Sequence, residues 1–379
     1  MKVVLFANTD WYLYNFRLPL AKALRAAGHE VVLMSPHGAY GARLVQAGFR
    51  WLPLPFSRSG INPAAELATI LKVAAAYQRE RPDLVHHFTI KCVLYGSIAA
   101  RLTAGSAIVN AVTGLGHLFT DQKGARAGLL KLIVRTLYRL ALRGTQVIFQ
   151  NPDDMHVFED QGLLQGAGCH LIRGSGVNTE LFRPMPETQR AERPVVLFAS
   201  RLLREKGIAE FVEAAALVRA QRPEVRFVAA GDIDPGNPSS VPRETVEIWR
   251  ARGDVEFPGH LDDMKPLLAS AALVALPSYR EGTPRILLEA AACGLPLVAT
   301  DVPGCREVVR SGLNGLLVPV RDSAALAGAI AVILADAQLA SSMGQESRKI
   351  AVAEFSEEQV ITRTLGVYGR AESARAARP

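Results

Sequence analysis

The sequence predicts an α/β protein of two doubly wound, Rossmann-like domains facing across a cleft, and three observations predict it. The length, 379 residues, suits two domains of about 100–200 residues each. Short apolar runs alternate with segments of helical spacing, the β-α-β grammar that implies a parallel sheet through right-handed crossovers. That grammar starts afresh after Pro184-Met185-Pro186, a polar, proline-bearing stretch that reads as a linker. The expected division is 1–183, 184–360 and a C-terminal helix or tail, 361–379, packing back on the first domain.

In chain order, Lys2–Ala7 is a first strand ending in a polar, aromatic loop, and Phe16–Ala27 is a helix carrying Leu18, Leu20, Ala21 and Leu24. Gly28-His29 stops it before a strand at Glu30–Met34. Further strands are expected at Leu84–His87, Ala107–Ala111 and Gln146–Phe149, with helical stretches between them. In the second half the strands are Pro194–Ala199, Val225–Ala230, Val255–Phe257, Ala272–Leu276 and Pro296–Thr300. The helices there are Ile208–Gln221, Met264–Ser270, Pro284–Cys293 and Ala324–Ala335. Residues 375–379 are expected to fray.

Composition narrows the class. With 49% hydrophobic and 21% charged residues the chain is neither disordered nor fibrous. Four cysteines without C-x-x-C spacing read as reduced interior residues. The amino terminus has no cleavage pattern of a secretory signal, and no apolar run reaches the roughly 18–20 residues of a membrane-spanning helix. The net charge of +7 is uneven: residues 1–182 hold 19 Lys/Arg against 11 Asp/Glu, whereas 183–379 hold 24 against 25. An excess confined to one half points to a nucleic acid, an anionic membrane or a phosphorylated ligand.

The chemistry concentrates in the second half. In Leu276–Ala290 a strand runs into a loop holding Glu281 and Gly282, and Pro284 opens a helix that continues through Glu289. Loop amides and a helix N-terminus make a seat for an anion such as a diphosphate. Glu281 and Glu289, acceptor-only carboxylates, suit the hydroxyls of an attached sugar and ribose. After the first strand of that half, Arg201 and Lys206 flank the turn into the next helix, where they reach phosphates or merely form a solvated basic loop. Asp232-Ile233-Asp234 has the oxygen ligands of a Mg²⁺ or Mn²⁺ site, but Arg201 and Lys206 already supply cationic stabilisation, so no metal is expected.

Taken together, Glu281…Glu289, Arg201-x4-Lys206-Gly207, Ala230-Gly231-Asp232 and Phe257-Pro258-Gly259-His260 resemble the retaining glycosyltransferases of family 4, which have the GT-B fold. The likeness extends to Pro82–His87, Tyr95-Gly96-Ser97 and Gly174–Asn178 with Phe182-Arg183-Pro184. Asn8, Trp11-Tyr12 and Tyr14–Arg17, with Gly231–Pro238, are most similar to bacterial enzymes that build O-antigen, capsule or N-glycan oligosaccharides on polyprenyl diphosphate. The resemblance implies donor contacts from Arg201, Lys206, Gly282, Thr283, Glu289, Gly231, Asp232, Gly259 and His260, with Glu281 catalytic at the sugar. It implies a second catalytic residue, His117, from Gly114-Leu115-Gly116-His117, and acceptor contacts from Asn8, Trp11, Tyr14, Arg17 and Lys91. The substrate would be a UDP-sugar, with no cofactor and no metal, and the partner a lipid-diphosphate saccharide.

Trp11 and Tyr14 either stack on a sugar ring or isoprenoid stem or pack their loop against the domain. Lys131, Arg135, Arg139 and Arg143 recur four apart in the helical stretch 128–143, giving a basic amphipathic helix for an anionic membrane surface. The expected location is therefore cytoplasmic, peripheral on the inner face of the inner membrane. Retention needs no paired-carboxylate displacement here. The leaving phosphate would help deprotonate the acceptor on the front face. A nucleotide-sugar epimerase of the same architecture is the alternative enzyme. A nucleic-acid-binding protein is disfavoured, because no recognised motif orders the basic residues. A dinucleotide oxidoreductase is disfavoured too, because no G-x-G-x-x-G follows the first strand.

Overall fold

A computed structural model of the chain describes residues 1–56, 62–103, 105–114, 125–185 and 193–377, and of residues 125–131 the backbone alone. Two compact units result, Met1–Ser175 with Val360–Pro379, and Gly176–Gln359. The first holds strands β1 (Lys2–Phe6), β2 (Glu30–Ser35), β3 (Arg50–Pro53), β4 (Leu84–Phe88), β5 (Ala107–Val112), β6 (Gln146–Phe149) and β7 (Gly168–Leu171). They form one sheet in the order β3-β2-β1-β4-β5-β6-β7, every pair parallel. Alternate residues of β1 feed opposite faces. Val3 and Leu5 pack with Leu20, Leu24 and Phe88, and Val4 and Phe6 with Val73, Tyr77 and Ala99. Sheets covered on both faces need apolar residues in succession along each strand, which is why β1 reads as an unbroken run.

The second unit holds β8 (Val195–Ala199), β9 (Arg226–Ala230), β10 (Glu256–Gly259), β11 (Ala271–Leu276), β12 (Leu297–Thr300) and β13 (Gly315–Val318). Their order is β10-β9-β8-β11-β12-β13, again all parallel. The order reverses between β8 and β11, as it does between β1 and β4 in the first unit. Ligands of open α/β sheets bind beyond the carboxyl ends of the strands at such switch points.

The structure differs from the sequence reading in three places. The polar loop after β1 is helical: an α-turn Asp10–Tyr12 and a π-helical segment Leu13–Arg17 lead into the helix Leu18–Ala26. Thr9 caps it, its Oγ1 accepting from the Tyr12 amide at 3.0 Å, and Pro19, which has no N–H to donate, follows the change from π to α. Strands β3, β7 and β13 have no counterpart among the expected ones. They are short and half-exposed edge or near-edge strands, so no long apolar run announces them.

The second unit begins at Gly176, not at 184. The Val177 amide donates to the Phe355 carbonyl at 2.8 Å, Phe182 lies in the second core, and Arg348 donates to the carbonyls of Thr179, Phe182 and Ala292. The tail is ordered helix, Glu357–Ala376, and from Val360 onward it belongs to the first unit. Val360, Val367, Tyr368 and Ala371 are buried with Val3 and Leu5. Arg375 donates to the Asp83 carbonyl at 3.0 Å.

Candidate functional site

The second unit gathers most of its charged candidates at the switch point. After β8 the chain passes through Ser200 and Arg201, makes a 3-10 turn at Arg204–Lys206, and enters the helix Ile208–Arg219 through Gly207. Gly207 has φ +73°, and a Cβ there would lie 2.0 Å from the Pro277 carbonyl oxygen. Only glycine permits both the left-handed turn and this approach of the loop after β11. That approach brings Lys206 Nζ to 2.6 Å from Glu281 Oε1, while Ser278 Oγ donates to the same oxygen at 2.7 Å. The pair is shielded, with side chains 18% and 11% exposed, so the attraction is less screened by water than in a surface pair.

Arg201 is set differently. Its NH1 donates to Asp234 Oδ2 at 2.6 Å in a more open pair, 53% and 31% exposed. Asp234 sits in a turn stitched to the Arg201 segment: the Leu202 amide donates to the Asp232 carbonyl, Arg204 to Ser239 and Val241 to Leu202. The Asp-x-Asp segment thus supplies a partner for a guanidinium on one side and an exposed carboxylate, Asp232, on the other. Gly231, at φ +140°, backs the Ser200 carbonyl, where a Cβ would come within 1.9 Å, and its amide donates to the Gly259 carbonyl at 2.8 Å. His260 is exposed, 3.4 Å from Asp262.

Gly282 and Thr283 occupy the loop between Glu281 and the helix Arg285–Ala292, with Pro284 at the N-cap position and no side-chain cap. Glu289, four residues into that helix from Arg285, is buried and accepts from Arg285 Nε at 2.6 Å. Burial raises the pKa of its carboxyl, opposed by the Arg285 charge. The arrangement joins two cations, two carboxylates and a helix start on neighbouring strand ends, the means to hold a diphosphate and the hydroxyls beside it.

In the first unit the residues after β1 serve each other. Asp10, buried, accepts from the amides of Trp11, Tyr40 and Gly41, each at 2.8 Å. Arg17 is buried, donating to the Tyr12 hydroxyl at 2.7 Å with its guanidinium 4.3 Å from the Phe88 ring centre. Tyr14 packs on Tyr40 at 5.4 Å. Trp11 is 41% exposed, edge-on to Phe16, and Asn8 is half-buried. Lys91 pairs with Glu66 at 2.6 Å. His117 lies outside the described residues.

Sequence reasoning missed Ser278, Arg285, Asp10 and two buried histidines of β4. His87 Nδ1 lies 2.8 Å from Asn110 Oδ1 and its Nε2 lies 3.0 Å from the Tyr77 hydroxyl. His86 Nδ1 lies 2.7 Å from the Tyr368 hydroxyl. A carboxamide oxygen only accepts, so His87 carries its proton on Nδ1 and takes the Tyr77 hydroxyl at Nε2. A buried polar strand position whose partners sit on distant segments leaves no local signal.

The basic helix is observed as Ala125–Leu142, and two of its arginines are engaged. Arg139 donates to the Gly162 and Gln161 carbonyls at 3.2 and 3.1 Å and Arg135 to Gln161 at 3.4 Å, just past the helix Pro152–Asp160. Arg143 is exposed, its carbonyl accepting from Arg101, and the Lys131 side chain lies outside the described atoms. Leu132, Ile133 and Leu140 are the exposed large apolar residues of this helix among those described. No single helix among the described residues is long and apolar enough to cross a membrane.

Comparisons with known proteins identify the family and the fold. Residues 193–336 match the family model described as glycosyl transferases group 1, and residues 2–151 the one described as glycosyl transferase 4-like. The N,N'-diacetylbacillosaminyl-diphospho-undecaprenol alpha-1,3-N-acetylgalactosaminyltransferase of Campylobacter jejuni is 28% identical, over 98% of this chain and 99% of that one. EpsD of Bacillus subtilis, to which a glycosyltransferase activity is ascribed, is 30% identical over 97% and 96%. Among solved structures, HepE of Anabaena in complex with UDP superposes with a TM-score of 0.78 at 21% identity, covering 98% of this chain and all of that one. Sucrose-phosphate synthase of Thermosynechococcus elongatus superposes with 0.79 at 22%, covering 99% and 100%.

Proposed function

Because the chain belongs to the group 1, family 4-like glycosyltransferases and has their GT-B fold, we propose that it moves an N-acetylhexosamine or a related sugar from a UDP-sugar to a polyprenyl-diphosphate-linked saccharide, with retention at the anomeric carbon, in bacterial surface polysaccharide or glycan assembly. The observation that carries this reading is the shielded Lys206–Glu281–Ser278 cluster beside Arg201, at the point where the second sheet reverses its strand order. Similarity to an enzyme named for an undecaprenol diphosphate acceptor and for N-acetylgalactosaminyl transfer supports the acceptor and sugar classes. A structural neighbour that binds UDP supports the donor.

In this reading Arg201 and Lys206 take the donor diphosphate with the amides of Gly282 and Thr283, Glu281 takes hydroxyls of the sugar, and Glu289 those of the ribose. The bond from the anomeric carbon to the phosphate oxygen breaks while the acceptor oxygen bonds on the same face, and the acceptor proton passes to the leaving phosphate. Two fixed cations offset the charge developing on that phosphate, so the reaction needs no metal. The enzyme works at the cytoplasmic face of the inner membrane, where its lipid-borne acceptor lies, and takes no nucleic acid.

A panel of nucleotide sugars offered with a lipid-diphosphate saccharide, in the presence of EDTA, tests the reading. UDP release with an axial donor giving an axial product is expected. An inverted product refutes the mechanism, loss of activity in EDTA refutes metal independence, and interconversion of UDP-sugars without acceptor identifies an epimerase.

A further inference from the structure

The charged groups of the proposed donor site stand on two loops, 200–207 after β8 and 277–284 after β11. Links that converge on Tyr279 fasten one loop to the other. The Tyr279 amide donates to the Glu205 carbonyl at 2.8 Å, next to Lys206. Its hydroxyl donates to Glu210 Oε1 at 2.6 Å. Glu210 lies in the first turn of the helix Ile208–Arg219 and is 9% exposed. Among the described residues its second oxygen, Oε2, is buried without a hydrogen-bond partner, and Tyr279 is the side-chain donor to this carboxylate. The Arg321 guanidinium lies 4.7 Å from the Tyr279 ring centre.

None of these three side chains belongs to the hydrophobic core. The helix is already anchored there by Ile208, Phe211 and Val212. What the Tyr279–Glu210 bond adds is a fixed spacing between the two loops, two residues from Glu281 on one side and four from Lys206 on the other.

We propose that Tyr279 and Glu210 are positioning residues for the donor: their hydrogen bond holds Lys206 and Glu281 at the separation that accepts a nucleoside diphosphate, without itself touching it. This rests on the reading of the Lys206–Glu281 cluster as the diphosphate seat. A charge-assisted bond in a shielded place is strong enough for its loss to be measurable in affinity. Preorganised loops bind more tightly because less freedom is lost when the ligand arrives.

Calorimetric titration of the full-length protein with UDP, and steady-state kinetics with donor and acceptor varied separately, test it. Tyr279→Phe and Glu210→Ala are each expected to weaken UDP binding and raise the donor KM by about fivefold to tenfold, with kcat and the acceptor KM changed less than about twofold. The double variant should be no worse than either single one. Glu210→Gln, which keeps an acceptor for the hydroxyl, should recover most of the loss. UDP affinity within twofold of wild type in Tyr279→Phe, or equal damage to donor and acceptor KM, overturns the proposal. Should Tyr279→Phe not fold, Glu210→Ala carries the same expectation and the same refutation. Lys206→Ala separates the two levels: if it binds UDP as the wild type does, the diphosphate seat itself is wrong; if it loses UDP while Tyr279→Phe and Glu210→Ala bind normally, only the positioning role is.

Discussion

Lys206 and Arg201 differ in what their removal leaves behind. Lys206→Ala strands the half-buried Glu281 without its cation, whereas Arg201→Ala frees Asp234 at a wetter position. Each is expected to lower turnover by at least about tenfold, roughly 1.4 kcal/mol of transition-state stabilisation. Steady-state kinetics of both variants check this, and full activity in both would remove them from the phosphate clamp. Gly207 is a residue whose replacement acts on the fold before it acts on chemistry. Alanine there meets a left-handed φ and the Pro277 carbonyl at once. A loss of at least about 2 kcal/mol in denaturant unfolding is expected, with donor binding impaired in whatever remains folded. The motif residues are legible in sequence because the chemistry fixes their type. Their partners are not: Ser278 is an ordinary loop serine until the fold turns its hydroxyl onto Glu281, and nothing near Glu289 in composition singles out Arg285 except its spacing of four.

At the level of elements, the helix Ala125–Leu142 shows that a periodic charge pattern can serve the fold as well as a surface. Arg139 is exposed and Arg135 half-buried, and both satisfy carbonyls just past the end of the helix Pro152–Asp160, where a cation complements both the open acceptors and the helix dipole. Arg139→Ala should therefore cost about 1 kcal/mol of stability and leave binding to anionic vesicles within twofold. Leu132→Glu with Leu140→Glu should reduce vesicle binding while sparing stability, because both side chains are exposed. Flotation with anionic lipid and denaturant unfolding read the two effects separately; the opposite pattern would restore the basic face as the membrane contact. The central strands were readable from their unbroken apolar runs. Strands β3, β7 and β13 were not, because a strand near the edge of a sheet needs only part of that pattern. The loop after β1 was misread because its helix is held by a threonine cap and aromatic packing instead of an apolar stripe.

For the whole molecule, pH dependence follows from β4. Burial holds the His87 pKa down at about 4, against its hydrogen bond to Asn110, and burial, then the charges of Arg17 and His87, lower that of His86 as well. An unfolded histidine takes up a proton near pH 6.5. Between about 6.5 and 4 the unfolded chain therefore binds protons that the native chain does not. Stability is complete at neutral pH and falls as the pH drops through that window, by a few kcal/mol for two such groups. Urea midpoints at pH 7.5 and 5 measure it, and coincident midpoints would show that the histidines are not held neutral. The two-domain organisation was legible because the β-α-β alternation restarts. The point of division was not, since the segment 176–183 is claimed by Phe355 and Arg348, some 170 residues downstream. The return of residues 360–376 to the first unit also dictates an order of assembly on the ribosome. The second unit is continuous in sequence and can close once it has emerged, whereas the amino-terminal unit, translated first, keeps apolar surface uncovered until residues 360–376 have been made. A stop codon just before residue 360 would spare nearly every motif and still leave that older half unfinished.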